Sequence, residues 1–201
     1  PPDENNLCTC AMRCLLIEDG KKLTLIDNGI GDKQDDKFLS HYHLHGNDTL
    51  DKSLAKLGFS RADITDVFLT HLHFDHCGGS IIREGEKLKP AFENANYWSN
   101  EQHWQWAIAP NDREKASFLK ENILPIQESG QLNFVETQDG VDFTDNVRIR
   151  FAFGHTDAMM LPQIQYKGRT IVYMADLLPS AAHLPLPYVM AYDMFPLQTL
   201  H

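Results

Sequence analysis

Apolar and polar positions recur with two periods along the chain, and the periods sort it into strands and helices. Residues 7–18 (LCTCAMRCLLIE) and 22–27 (KLTLID) read as two strands joined by the turn Asp19-Gly20-Lys21. Within the first, Cys8, Cys10, Met12 and Cys14 share one parity, so an extended backbone places them on one face. Leu50, Leu54 and Leu57 follow Thr49 at helical spacing and Gly58 stops the run, which predicts a helix over 49–57. DVFLT (66–70) reads as a buried strand, and THLHFDHCGG (70–79) as the loop leaving it. Ser99-Asn100-Glu101-Gln102 has the form of a capping box, opening a helix that holds Trp104 and Trp106. A second helical stretch is expected from Asp112 to about Ile126. Strands return at 132–136, 147–153, 161–166 and 170–176, the last two joined by the hairpin turn Lys167-Gly168-Arg169. From Leu177 to Pro196 the chain is rich in proline and aromatic residues and has no period. No repeat, low-complexity tract or linker interrupts it, so residues 1–201 are expected to form one domain.

Composition narrows the classes of partner. With 42% hydrophobic and 23% charged residues the chain has ordinary globular composition. A net charge of -10 leaves no surplus of Lys and Arg for a phosphate backbone, so no nucleic-acid partner is expected. No apolar run approaches the roughly 18–20 residues of a membrane span. Pro1 stands first in place of a methionine, which leaves a removed N-terminal segment open. Cys8, Cys10 and Cys14 admit two readings, small buried apolar side chains or a metal cluster with no second pair to complete it. Unpaired thiols suit a reducing cytoplasm.

The chemistry concentrates in HLHFDH. His71 and His73 lie two apart, so in an extended segment both rings face the same way. Asp75 and His76 are adjacent and diverge, a geometry suited to two neighbouring metal ions. Leu72 and Phe74 anchor the loop, and Gly78-Gly79 lets the backbone turn sharply beneath it. A second cluster, His41, His43 and His45, lacks an Asp-His pair and follows no buried strand, so it reads as a loop lining the pocket. His103 reads as a surface or packing histidine and Cys77 as a buried inert thiol. Trp98, Trp104, Trp106 and Phe118 read as core or as an apolar lid over the metals, with Tyr188, Tyr192 and Phe195 as the opposite wall.

HxHxDH after a hydrophobic strand resembles the signature of the metallo-β-lactamase superfamily, and three further landmarks follow in order. Asp27 in LIDNGIG resembles the family's early structural aspartate, with Asn28 in place of its usual threonine. Gly154-His155-Thr156 resembles the element carrying a third histidine ligand, and Asp176 the aspartate that bridges two metals. The resemblance covers residues 7 to about 180. It implies an α/β fold, a four-layer αββα sandwich with a dinuclear site at its sheet edge. His71, His73 and His155 are assigned to the first metal, Asp75 and His76 to the second, and Asp176 lies between them. Such a set suits two divalent ions, foremost Zn²⁺, with Fe or Mn also accommodated. Thr70, Thr156 and Asp157 are candidates to hydrogen-bond the ligand rings, with Asp157 equally readable as a solvated loop residue.

The family pattern also has a histidine well downstream of the bridging aspartate, whereas the chain ends at His201, only 25 residues after Asp176. The expectation is therefore a portion of a longer protein, lacking an N-terminal strand and a C-terminal part, with His183 or His201 as rival ligands. HLHFDH with its Gly-Gly pair resembles the acyl-homoserine lactone lactonases, and 176–193 the methyl parathion hydrolase-like branch. The implied function is hydrolysis of a small, fairly apolar ester or lactone by a metal-bridging hydroxide, with Asp75 and Asp176 catalytic and phosphotriesters within reach. The alternative is an iron-dependent oxidoreductase of the same fold, a dioxygenase or di-iron protein. The expected partner is a small-molecule substrate, and a homodimer stays open.

Overall fold

The computed structural model describes residues 2–201. Its strands are β1 (Leu15–Asp19), β2 (Lys22–Ile26), β3 (Asp66–Phe68), β4 (Ile81–Glu84), β5 (Lys87–Pro90), β6 (Asn96–Asn100), β7 (Leu132–Val135), β8 (Val141–Thr144), β9 (Val147–Ala152), β10 (Met159–Tyr166) and β11 (Arg169–Val172). Its helices are α1 (Asp36–Ser40), α2 (Leu50–Lys56), α3 (Phe74–Cys77), α4 (Glu101–Ile108), α5 (Lys120–Glu128) and α6 (Pro196–Leu200). One sheet runs β1-β2-β3-β6-β7, antiparallel at its first pair and parallel thereafter. A second, antiparallel sheet runs β11-β10-β9-β8, and β4-β5 form a separate hairpin.

Alternation along the strands decides what packs where. In β2 and β3, Leu25 and Val67 face one side, where Trp104 of α4 and Ile123 and Ile126 of α5 cover them. Ile26 and Phe68 face the other, against Ile149, Met160 and Ile164 of the second sheet. Each such side chain taken from water contributes roughly 1.5–3 kcal/mol, and together they weld helices, sheet and sheet into three layers. On the outer face of the second sheet Arg148 and Arg150 stand in solvent, paired with Asp142 and Asp139. The described residues thus supply three of the four expected layers. No helix among them is long and apolar enough to cross a membrane.

Several elements depart from the pattern of the sequence. Residues 7–14 are not a strand, and Cys8 and Cys10 are exposed. The β1–β2 ladder ends at Leu15–Ile26, because the next residue, Asp27, turns away with φ +54°. β3 stops at Phe68 and β11 at Val172, short of the expected ends. The cap of α4 is Asn100, whose side chain accepts from the His103 amide, one residue later than the expected Ser99. α5 begins at Lys120, and residues 112–117 before it form turns. β4, β5, β6, β8 and α1 appear where no element was expected.

Candidate metal centre

The loops after β2, after β3, between β9 and β10, and after β11 meet at one end of the sandwich. Asp27, with its positive φ, points its carboxylate into the HLHFDH loop. It accepts from the Thr70 amide (2.9 Å), the Thr70 hydroxyl (2.8 Å) and His76 Nδ1 (2.8 Å). Beneath that loop the backbones touch. A Cβ on Gly78 would lie 2.1 Å from the Ile30 carbonyl oxygen, and one on Gly79 2.3 Å from that of Asn28. Gly78 itself is helical (φ −59°), so the glycines serve close approach and not the expected sharp turn.

Four imidazoles converge here, and each has its outward nitrogen occupied. His71 Nδ1 lies 3.0 Å from the Thr70 oxygen, whose own proton goes to Asp27. His73 Nε2 faces Glu114 Oε1 (2.9 Å), His155 Nδ1 faces Asp193 Oδ1 (3.1 Å), and His76 Nδ1 faces Asp27. Acceptors at these positions place the ring proton outward and turn the lone pairs of His71 Nε2, His73 Nδ1 and His155 Nε2 inward, while His76 Nε2 faces the Asp176 carboxylate. His71 Nε2 is fully buried and has no hydrogen-bond partner. His73 Nδ1 and His155 Nε2 stand 3.1 Å apart, two acceptors facing each other with no proton left between them. Donor atoms of His71, His73 and His155 all lie within 4.8 Å of one another, as do those of His71, His76 and Asp176. An orphaned lone pair and two opposed ones are what a cation at this point would satisfy, so the residues fit a metal ion.

Asp176 spans the two groups. Its Oδ1 lies 3.1 Å from His76 Nε2 and its Oδ2 3.4 Å from His155 Nε2. Ala175 before it holds φ +42°, a strained position that aims the carboxylate. Asp75 stands at the rim, Oδ2 3.7 Å from His76 Nε2. The two neighbours approach rather than diverge because Phe74–Cys77 is a helical turn, not extended chain. Burial pushes His71 well below the usual imidazole range, and the neighbouring rings add to it. Burial likewise lowers His73, with Glu114 pulling the other way. For His76 burial is outweighed by the Asp27 and Asp176 carboxylates, which lift it well above its ordinary value. Burial would raise Asp176, but its hydrogen bond to His76 holds it low.

Comparison with known families gives a match of residues 13–201 to the model of the metallo-beta-lactamase superfamily. The chain belongs to that superfamily. Among solved structures it is similar to a probable metal-dependent hydrolase from Staphylococcus aureus, at 28% identity and TM-score 0.88 over 99% of this chain and 70% of that one. It is also similar to AidC, a dizinc quorum-quenching lactonase, at 26% identity and TM-score 0.75 over 92% of this chain and 64% of that one. The hydrolase AbOPH, at 21% identity and TM-score 0.70 over 92% and 63%, shares the fold. No curated protein matches. Superfamily membership and the donor cluster together indicate a metal-dependent hydrolase.

Around this metallo-beta-lactamase centre the remaining residues divide differently from the sequence reading. Thr70 holds a ligand-set ring, as expected, whereas Thr156 donates to Glu114 and so reaches His73 only through that carboxylate. Asp157 turns its carboxylate outward to Gln102 (3.0 Å). His103 is fully buried, not a surface residue. Trp104 lies in the core and Trp98 between the sheets, where its Nε1 donates to Asp66. Trp106 donates to Glu114 Oε2 and Phe118 packs on the His73 ring at 4.8 Å, so the aromatic insert is a floor under the ligands rather than a lid. Tyr192 stands edge-on to His155 (5.9 Å, 75°) and is exposed, while Tyr42 packs on Phe74 (4.9 Å). Cys77 is buried, its thiol pushed up to about 12 by burial. His183 bonds Ser180 and His201 is exposed, both outside the donor groups, and His41, His43 and His45 are exposed as well. Glu114 and Asp193 were absent from the sequence reading. The sole cue for Asp193 was its place in the aromatic stretch after Asp176.

Proposed function

We propose that the chain is a dinuclear metal-dependent hydrolase acting on a small, fairly apolar ester or lactone. The observation that carries this reading is the inward set of imidazole lone pairs with Asp176 facing both groups. His71, His73 and His155 would hold one ion and Asp75 and His76 the other, with Asp176 between them. Imidazole nitrogen and carboxylate oxygen suit Zn²⁺, and the oxygen-richer second set also accommodates Fe or Mn. Bound there, such ions polarise a carbonyl and acidify water enough to make it a nucleophile near neutral pH.

The chain's own residues supply orientation, charge and proton transfer. Glu114 and Asp193 fix the His73 and His155 rings so that their lone pairs point to one place, and Asp27 fixes His76 against Asp176. Asp176 brings negative charge to the point where both groups meet. Asp75, whose side chain is 39% exposed, is the carboxylate of the set most open to solvent, which suits it to pass a proton to a leaving alkoxide. Tyr42 and Tyr192 offer apolar surface beside the centre, and the acidic chain disfavours anionic substrates. AidC, a dizinc lactonase by its own description, supports the same substrate class.

Elemental analysis of the purified protein, followed by a panel of lactones, carboxylic esters and a phosphotriester, tests the proposal. Zinc at two ions per chain is expected, with hydrolysis lost on chelation and restored by zinc. Stoichiometric iron, oxygen consumption and no hydrolysis would replace it with the oxidoreductase reading.

A further inference from the structure

Two side chains at the start of α4 join the loops that carry the first donor group, and neither belongs to that group. His103 is fully buried. Its Nε2 accepts from the Leu72 amide (2.9 Å), and its Nδ1 faces the Asp157 carbonyl oxygen (2.6 Å). An amide can only donate and a carbonyl can only accept, so the ring is neutral with its proton on Nδ1. Asn100, also fully buried, caps the helix by accepting from the His103 amide (2.8 Å) and donates through Nδ2 to the Ala158 carbonyl oxygen (2.9 Å). Leu72 lies between His71 and His73, while Asp157 and Ala158 follow His155 by two and three residues. Ala158 holds φ +50°, a conformation that needs support from its surroundings. Besides this pair, the Met160 amide donates to the Thr70 carbonyl oxygen (2.8 Å), and Glu114 joins His73 to Thr156.

We propose that Asn100 and His103 are positioning residues that set the gap between the His71/His73 loop and the His155 loop, and thereby the metal affinity of the first donor group. The inference rests on the reading that these three histidines hold one ion. A shift of either loop moves one ring of a set whose lone pairs must meet at one point, whereas His76 is held separately through Asp27. In that reading the second ion is held by Asp75, His76 and Asp176, to whose side chains Asn100 and His103 make no hydrogen bond.

The test is competition of zinc-loaded full-length protein against a chromophoric chelator, with folding checked by circular dichroism. His103→Phe keeps a buried ring and removes both bonds. It is expected to weaken the tighter site by about 10–100-fold, the usual cost of losing a group that orients a ligand, with the weaker site unchanged. His103→Gln, which keeps one donor and one acceptor, is expected to lie between it and wild type. Asn100→Ala is expected to weaken the same site and carries the test if His103→Phe does not fold. Gln105→Ala, on the exposed side of α4, should leave both affinities alone. A purely structural role predicts lower melting temperatures with unchanged affinities in the folded variants, and that result overturns the inference. Wild-type protein that takes up no zinc at all would overturn the metal reading itself, and the bracket with it.

Discussion

The two donor groups share His71 yet are built in opposite ways. In the first, His71, His73 and His155 are buried and each fixed from behind by Thr70, Glu114 or Asp193. In the second, His76 is fixed by Asp27 and forms an ion pair with Asp176, while Asp75 is 39% exposed with only His76 near it. In the proposed reading the first would be a cage made before any ion arrives, and the second an edge that an ion would complete. Pre-organisation lowers the ordering cost of binding, so the first should be the high-affinity site.

The largest effect should come from the carboxylate that faces both groups. Asp176→Asn keeps shape and loses charge where the groups meet. Losing several kcal/mol of charge stabilisation corresponds to a fall in kcat of about a thousandfold, at 1.4 kcal/mol per factor of ten. Near wild-type turnover in a metal-replete variant would erase the distinction between a shared carboxylate and an ordinary ligand. Next in size, Asp193→Asn and Asp27→Asn should separate the groups. The former should weaken the first site by about 10–100-fold and spare the second, read by chelator competition. The latter loosens His76 and the Thr70 behind His71, so it should weaken the second site more than the first. Equal losses at both sites in both variants would mean one coupled centre. Chelation kinetics of the wild type should then show two phases, the faster from the open edge, with activity lost in the faster phase. A single phase would count against the contrast.

A smaller effect is expected from acid. Burial lowers His103 to about 4 from an ordinary 6.5. The unfolded chain therefore takes up a proton on this ring as pH falls through 6.5, while the folded chain does not until about pH 4. Stability present above pH 6.5 is thus lost as pH falls toward 4. At about 1.4 kcal/mol per pH unit the loss approaches ~3 kcal/mol, and His103→Gln should lack that part of the slope. Denaturant melts of metal-free protein between pH 7 and pH 4 would measure it. Parallel slopes in the two proteins would show that the ring does not remain neutral.

The first group was more legible in the sequence than what holds it. His71, His73 and His76 fall in one short motif after an apolar run, and the resemblance to the family pattern brings His155 and Asp176 forward. Glu114 and Asp193 do not stand out, because a carboxylate 41 or 38 residues from its partner looks like any surface acid until the chain is folded. His103 was misplaced for a related reason: Gln102 and Gln105 beside it are exposed, and only the contacts of α4 with two loops reveal which way it points. Among the elements, β2, β3, β9 and β10 carried a clear alternation. The β4–β5 hairpin, with five charged residues and a glycine between Arg83 and Lys89, did not. Residues 7–14 show the converse error, since shared parity predicts a face only where another strand pairs with the chain.

The rings are held by buried groups, whereas the tyrosines beside them stand in solvent. Tyr42 and Tyr192 are exposed, as are Leu184, Leu186 and Tyr188 in the same late segment as Tyr192, and none belongs to either core cluster. None of them makes a hydrogen bond that fixes an imidazole, and only Tyr192 packs on one. Mutational drift is therefore nearly free at these exposed side chains and steeply penalised at the buried groups behind the rings. A lineage built on this frame can change what it admits many times over while inheriting one unchanged set of donors.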